Sequence, residues 1–123
     1  MLSDIMKAKI LNMRNDKLKE RPAVRDEQGN ICRVRKIWDN GGKTCDRFSV
    51  TFDIYNGTTG RWEAWSDYAD GRLTCLGMSS DPTHPQGFSQ FSSCTEGRHL
   101  GRRIAFSALP ELIQNHIIIR MKQ

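Results

Sequence analysis

The chain has 123 residues and a net charge of +5, and 37% of its residues are hydrophobic. This length fits one domain, spanning residues 1–123, with a single modest core. Apolar runs stay well below the roughly 18 residues that a membrane-spanning helix needs, so no transmembrane helix is predicted. The opening residues mix charges among apolar positions, unlike a secretory signal peptide, and we therefore expect a cytoplasmic protein.

The first predicted element is a basic amphipathic helix over residues 1–20. Ser3 can cap it, and apolar side chains recur near helical spacing. The first 36 residues carry ten basic and five acidic side chains, whereas the remaining residues carry nine of each. A basic helix can contact nucleic acid, although a solvated helix face explains the same pattern. The residues that would make this contact are Lys7, Lys9, Arg14 and Lys17.

An antiparallel meander is predicted over residues 31–78. Its first strand is anchored by Val34 and Ile37, and the Asn-Gly-Gly sequence that follows favours a tight hairpin turn. In the second strand apolar and polar side chains alternate, which indicates a sheet with one buried face. The predicted strands cover residues 31–38, 47–55, 61–68 and 72–78.

The last third of the chain combines a long loop with a short strand and a helix. Residues 79–101 lack periodicity and predict an ordered loop of the kind that often carries function. Residues 102–106 indicate a short strand. Ser107 is positioned to cap a final helix that runs to residue 121. The predicted fold is α+β: an antiparallel sheet of four to five strands with an N-terminal and a C-terminal helix.

The cysteine spacing argues against a zinc site. Zinc ligands usually occur in close pairs, and the four cysteines of this chain are well separated. We predict buried thiols, with no metal and no cofactor. The cysteines are Cys32, Cys45, Cys75 and Cys94.

The Gly-Gly-Lys-Thr sequence at 41–44 is similar to part of a phosphate-binding loop. That motif also needs an upstream glycine and a following helix, whereas here a strand follows. The sequence therefore predicts a plain hairpin turn. Within it, Arg47 either pairs with Asp46 or contacts a ligand phosphate.

The stretch DPTHPQGFSQF, residues 81–91, is the first candidate ligand site. Phe88 can stack on a base while Gln86 contacts the edge of that base. His84 precedes a proline and is therefore extended. In the alternative interpretation, Phe88 closes the core and His84 only hydrogen-bonds to the backbone.

The stretch EGRHLGRR, residues 96–103, is the second candidate site. Three arginines and a histidine within six residues can bind phosphate, because arginine contacts phosphate in a bidentate way. A charged edge strand that resists aggregation explains the same residues equally well. The predicted ligand surface consists of Arg47, His84, Gln86, Phe88, Arg98, His99 and Arg102.

Three stretches of the chain resemble a known set of proteins: WDNGGKTCDRFSVTF, GMSSDPTHPQGFSQF and GRHLGRRIAFSALPELIQ. Their order along the chain and their residues are similar to those of small uncharacterised proteins carried by phages, prophages and plasmids. The resemblance covers roughly residues 38–115 and brings no known activity with it. Residues 1–20 and 61–68 depart from the pattern. The resemblance implies a mobile-element origin, the cytoplasm of a bacterial host, and action by binding.

The resemblance and the two candidate sites together predict a non-enzymatic protein that antagonises host defence. It would bind a defence protein or sequester a nucleotide signal. One alternative is a nucleic-acid-binding accessory protein that uses the basic N-terminal helix. Another is a small hydrolase that uses His84 or His99, although the spacing selects no catalytic pair. The sequence does not identify the ligand, and it leaves formation of a homo-oligomer open.

Overall fold

A computed structural model of the protein describes residues 21–81, 83 and 87–123. The predicted basic helix over residues 1–20 lies outside this part of the chain, as do His84 and Gln86. Among the described residues, no helix is long and apolar enough to cross a membrane.

The described residues form an antiparallel sheet of seven strands and one α-helix, which confirms the α+β prediction for this part of the chain. The predicted count of four to five strands was too low. The two strands that were missed, β1 and β6, lack a clear apolar alternation. The strands are β1 (Ala23–Arg25), β2 (Ile31–Asp39), β3 (Phe48–Asn56), β4 (Arg61–Ala64), β5 (Leu73–Met78), β6 (Ser89–Cys94) and β7 (Arg102–Arg103).

Strands β2 and β3 form the centre of the sheet, and the main strand order is β1-β2-β3-β5-β6. On the side of β2 away from β3, β1 pairs with the beginning of β2 and β7 pairs with its end. On the far side of β3, β5 pairs with its first half and β4 with its second half. The end of β2, the start of β3 and β7 therefore meet at one end of the sheet.

Strand β6 corrects the prediction that residues 79–101 are a loop. Only Phe91 in this strand is large and apolar, so a two-residue alternation is not visible in the sequence. Phe91 pairs with Leu76 of β5, and its ring centroid lies 5.9 Å from that of Trp65. The ring contacts of Phe91 with Trp65 and Phe52, together with the β5 ladder, thus hold a strand that is otherwise polar.

A β-bulge in β2 explains how Val34 and Ile37 can both face the core although they are three residues apart. Val34 and Lys36 pair with consecutive residues of β3, which leaves Arg35 as an extra residue. A bulge of this kind shifts the inward–outward alternation by one position. Arg35 and Lys36 consequently lie on the same face, opposite the core, where both contact Glu96.

Strand β4 is shorter than the predicted strand over residues 61–68, because it ends at Ala64. Trp62 lies on the face opposite the core, where the guanidinium of Arg33 stacks 4.3 Å from its ring centroid. Trp65 instead packs against the core cluster. The two tryptophans therefore contribute to opposite faces of the sheet.

One face of the sheet is covered by the C-terminal helix α1, Glu111–Met121. Ile113, Ile117 and Met121 point inward from successive turns and are buried. The other face carries polar and charged side chains. The sheet residues at the centre of the core are Val34, Ile37, Val50, Phe52, Leu76 and Met78.

The final helix begins later than predicted, and the proline explains why. Leu109 is extended, with φ −74° and ψ 150°, because the residue before a proline is disfavoured in the α region. The helix therefore starts after Pro110, and Ser107 does not cap it. Ser107 instead lies in a short 3-10 helix, Phe106–Ala108. The predicted strand over residues 102–106 is limited to β7.

Deleting Arg35 should preserve the fold. The deletion removes the bulge and leaves a regular alternation in β2, with Val34 and Ile37 still inward. We expect cooperative urea unfolding with a loss of about 3 kcal/mol, because Arg35 makes two charge-assisted hydrogen bonds. Deletion of Ser49 is the control, since it removes a residue from the unbulged strand and reverses the faces of the residues beyond it. Unfolding of the Arg35 deletion and retention of structure in the Ser49 deletion would contradict this register.

Candidate anion-binding groove

The turn between β2 and β3 is held by the side chains at its start. Asp39 Oδ1 accepts a hydrogen bond from the backbone N–H of Gly41 at 2.8 Å. Asn40 Oδ1 accepts the N–H groups of Gly42 and Lys43 at 2.8 and 3.0 Å. Both glycines have positive φ, 76° and 87°, which favours glycine at each position. The turn is thus fixed by its own hydrogen bonds, and these three backbone donors are already used.

Arg47 forms a two-point ion pair with Asp39 across the base of the turn. Its Nε lies 2.9 Å from Asp39 Oδ1 and one terminal nitrogen lies 3.1 Å from Oδ2. These hydrogen bonds hold the pKa of Asp39 below its ordinary value, against the opposing effect of burial. The same pair raises the pKa of Arg47. The alternative pairing with Asp46 does not occur, because the Asp46 carboxylate packs against Gly77.

The segment before β7 packs directly on this turn. A short 3-10 helix, Arg98–Leu100, leads into Gly101, which has φ 113° and ψ −156°. Only glycine readily adopts this conformation. A Cβ atom at Gly101 would lie 2.3 Å from the carbonyl oxygen of Asp39, so the close approach also requires glycine. Strand β7 then pairs Arg102 with Asp39.

These contacts form the walls of an open surface groove of about 620 Å³, which we call the anion groove. Four of its side chains are basic, and its one carboxylate, Asp39, is already bound by Arg47. In the described part of the chain, Lys43, Arg98 and Arg102 have no ion-pair partner. The groove is lined by Asp39, Asn40, Gly41, Lys43, Arg47, Arg98, Gly101 and Arg102.

A second groove of about 450 Å³ adjoins the first, and Arg98, Gly101 and Arg102 line both. Its only carboxylate among the described lining residues is Glu96, which lies 3.2 Å from Arg35 Nε and 3.8 Å from Lys36 Nζ. This second groove is therefore also a surface on which the acidic group is already neutralised.

The structure brings together three of the predicted ligand residues and separates two others from them. Arg47, Arg98 and Arg102 line the anion groove. His99 is exposed, and its ring lies over Gly97 rather than in the groove. Phe88 packs against the core cluster, which matches the alternative in which it closes the core.

Phe88 is held in place by its neighbours rather than presented to a ligand. Its ring centroid lies 4.4 Å from that of His116, and its carbonyl oxygen accepts the N–H of Ser79 at 2.9 Å. His116 Nε2 is hydrogen-bonded to Ser89 Oγ at 2.6 Å. Burial, followed by the charge of Arg120, lowers the pKa of His116.

Sequence reasoning missed several residues of this basic surface. Lys43 was considered only as part of a phosphate-binding-loop motif, and the pairing of β7 with β2 brings it to the same groove as Arg98 and Arg102. Arg103 belongs to the predicted stretch and lines the second groove, where its guanidinium lies 5.5 Å from the Trp38 ring centroid. Lys36 also lines that groove. The Val34–Ile37 spacing was the available sign of the bulge that places Lys36 there.

The thiols take no part in this surface. Burial raises the pKa of Cys32 to about 11 and that of Cys75 to about 12, so neither is a thiolate at neutral pH. Cys45 is exposed in the turn and Cys94 is only partly buried, so the prediction of buried thiols is confirmed for Cys32 and Cys75 alone. Among the described residues, no group of three or more His, Cys, Asp or Glu side chains is placed to hold a metal ion.

Replacing Gly101 with alanine should destabilise the protein by about 3 kcal/mol or more, because backbone strain adds to a steric clash with the turn. Gly29→Ala is the control: Gly29 also has positive φ, 85°, but a Cβ there would meet no atom within 4 Å. We expect Gly29→Ala to cost about 1 kcal/mol in urea unfolding. Equal losses from the two variants would contradict the close packing of Gly101 on the turn.

The chain matches no protein-family model, no curated protein and no solved structure. The side chains of the anion groove are therefore the guide to function. Arginine and lysine are hydrogen-bond donors that carry positive charge at neutral pH. A groove lined by them attracts anions with several acceptor oxygens, such as phosphate groups.

Proposed function

We propose that the protein binds a phosphate-bearing ligand of the nucleotide class in the anion groove, without turning it over. One observation carries the proposal. Lys43, Arg98 and Arg102 face a common groove, while Asp39, which would otherwise compete for them, is bound by Arg47. The groove therefore presents three basic side chains that form no ion pair within the described residues, one of which, Arg102, also acts on Asp39 through its charge. Because this surface is preformed, the ordering cost of binding an anion is low.

Side chains rather than the backbone would hold the phosphate. In a phosphate-binding loop, backbone N–H groups of the glycine-rich turn surround the phosphate. Here the N–H groups of Gly41, Gly42 and Lys43 are hydrogen-bonded to Asp39 and Asn40. This difference favours a binding protein over a nucleoside triphosphatase.

The composition of the groove also favours binding over catalysis. Among the described residues that line it, none is a serine, cysteine or histidine that could act as a nucleophile or general base. Asp39 is held ionised by two guanidinium hydrogen bonds. The hydrolase alternative would need His99, which lies outside the groove lining, or His84.

The resemblance to proteins of phages, prophages and plasmids supplies a biological setting for this proposal. A protein that binds a nucleotide without hydrolysing it lowers the free concentration of that nucleotide. In a bacterial host this would antagonise a defence system that depends on a nucleotide signal. The groove favours this route over direct binding of a defence protein, because its chemistry suits phosphate.

Arg98→Gln and Arg102→Gln should each weaken binding of ATP, used as the probe, roughly tenfold or more. Each substitution removes charge-assisted hydrogen bonds worth about 1.5–3 kcal/mol. Isothermal titration calorimetry at low salt measures the affinity, and chromatography of the recovered nucleotide tests whether it is intact. Arg61→Gln is the matched control, because Arg61 is exposed on β4 outside the groove.

Two results would contradict the proposal. The first is ATP binding that is unchanged in both groove variants or absent in the native protein. The second is recovery of hydrolysed nucleotide in proportion to protein concentration, which would indicate an enzyme.

A further inference from the structure

The anion groove is one end of a longer basic surface. The second groove shares Arg98 and Arg102 with it, and a third groove of about 150 Å³ shares Lys36 and Arg103 with the second. The third groove also includes Arg21. We call the continuous surface the basic band. Its basic residues are Arg21, Arg35, Lys36, Lys43, Arg47, Arg98, Arg102 and Arg103.

Positive charge is concentrated in this band. Eight basic side chains line it, against two acidic ones, Asp39 and Glu96. This excess of six is larger than the net charge of the whole chain, +5. Both carboxylates are already bound, Asp39 by Arg47 and Glu96 by Arg35 and Lys36.

Five basic residues of the band have no ion-pair partner in the described part of the chain: Arg21, Lys43, Arg98, Arg102 and Arg103. A ligand with several phosphate groups would be able to pair with several of them at once. A single nucleotide in the anion groove would contact only those at one end.

The length of the band suits a polymer. It follows β2 from Val34 to Asp39, which pair with Phe52 and Phe48 of β3. Because Arg35 is the extra residue of the bulge, this distance is four ladder steps of about 3.3 Å, or about 13 Å. Successive phosphates of one strand of a DNA duplex lie about 3.4 Å apart along the helix axis, so about four intervals, and therefore about five phosphates, span this distance. That number equals the number of basic side chains without an ion-pair partner.

The band offers no surface for stacking bases. Trp38, its one aromatic residue among the described ones, is only 3% exposed and lies beneath Arg103. Proteins that bind single strands usually stack bases on exposed aromatic rings. A duplex keeps its bases stacked internally and presents phosphates, which is what this surface can contact.

We propose that the basic band binds the sugar–phosphate backbone of double-stranded DNA, without preference for sequence. The inference rests on the proposed function, because the phosphate contacts of Lys43, Arg98 and Arg102 are common to both. It extends that function to a polymer and uses Arg21 and Arg103 as additional contacts. It also places nucleic-acid binding on described residues rather than on the predicted helix of residues 1–20.

Fluorescence anisotropy of a labelled 20-base-pair duplex tests this inference at several salt concentrations, with calorimetric ATP binding measured in parallel. Neutralising five phosphates predicts a log–log salt slope of about −4.5 for the native protein. Arg21→Gln combined with Arg103→Gln should reduce the slope to about −2.7 and leave ATP affinity unchanged. Arg98→Gln combined with Arg102→Gln should weaken binding of both ligands.

Arg61→Gln combined with Lys122→Gln is the control of equal charge, since both residues are exposed outside the band. This double variant should retain most of the salt dependence of duplex binding that the native protein shows. A thermal unfolding curve for each variant confirms that the fold is intact.

The outcomes separate the two proposals. ATP binding without duplex binding would overturn the DNA inference and leave the proposed function standing. The inference would also be overturned if the Arg21/Arg103 double variant bound the duplex with the native salt slope. The same holds if the Arg61/Lys122 control reduced the salt slope as much as the Arg21/Arg103 variant does. Tighter binding of a single strand than of the duplex would do the same. If the native protein binds neither ATP nor the duplex, both proposals are overturned.

Discussion

The extra residue at Arg35 in β2 is the constraint on which the polar face of the sheet depends. It places Arg33, Arg35 and Lys36 together on the face opposite the core while Val34 and Ile37 remain inside. Arg33 and Arg35 then bind the carboxylate of Asp53, which is 1% exposed, at 2.9 and 3.1 Å. Removing one partner of a buried ion pair of this kind typically costs about 3–5 kcal/mol, so the arrangement is strongly held. Arg35 and Lys36 also bind Glu96, which fixes the start of the segment that carries Arg98 and Arg102.

A second constraint completes the groove from the other side. Gly101 allows the segment to lie against the backbone of Asp39, and the hydrogen bonds of Asp39 and Asn40 fix the turn that faces it. The arginines are therefore positioned before any ligand arrives, and Asp39 is neutralised by Arg47. Preorganisation of this kind reduces the entropy lost on binding. The bulge at Arg35 and the close approach at Gly101 are both features of the backbone. Together they determine which basic side chains lie side by side on the surface.

The sequence predicted the parts of the fold that follow local rules. The strands near residues 31–38 and 47–55 and the Asn-Gly-Gly turn were found because alternation and turn chemistry are local. The bulge at Arg35, strand β6 and the helix start after Pro110 were missed, since they depend on pairing with distant residues or on the conformation before a proline. Arg98 and Arg102 were predicted as phosphate ligands from composition alone, and this assignment stays a prediction. That these arginines line the same groove as Arg47 and Lys43 could not be predicted, because this arrangement requires the pairing of β7 with β2.

An NMR titration of the ¹⁵N-labelled protein with pyrophosphate tests directly whether the anion groove binds phosphate. We expect shifts of the backbone amide signals of Gly41, Lys43 and Gly101 and of the Nε–H signals of Arg98 and Arg102. The amides of Gly29 and Gly60, in turns outside the groove, should remain unchanged. Shifts confined to the surroundings of Phe88 and His116, or no shifts at all, would contradict the assignment of phosphate binding to the anion groove.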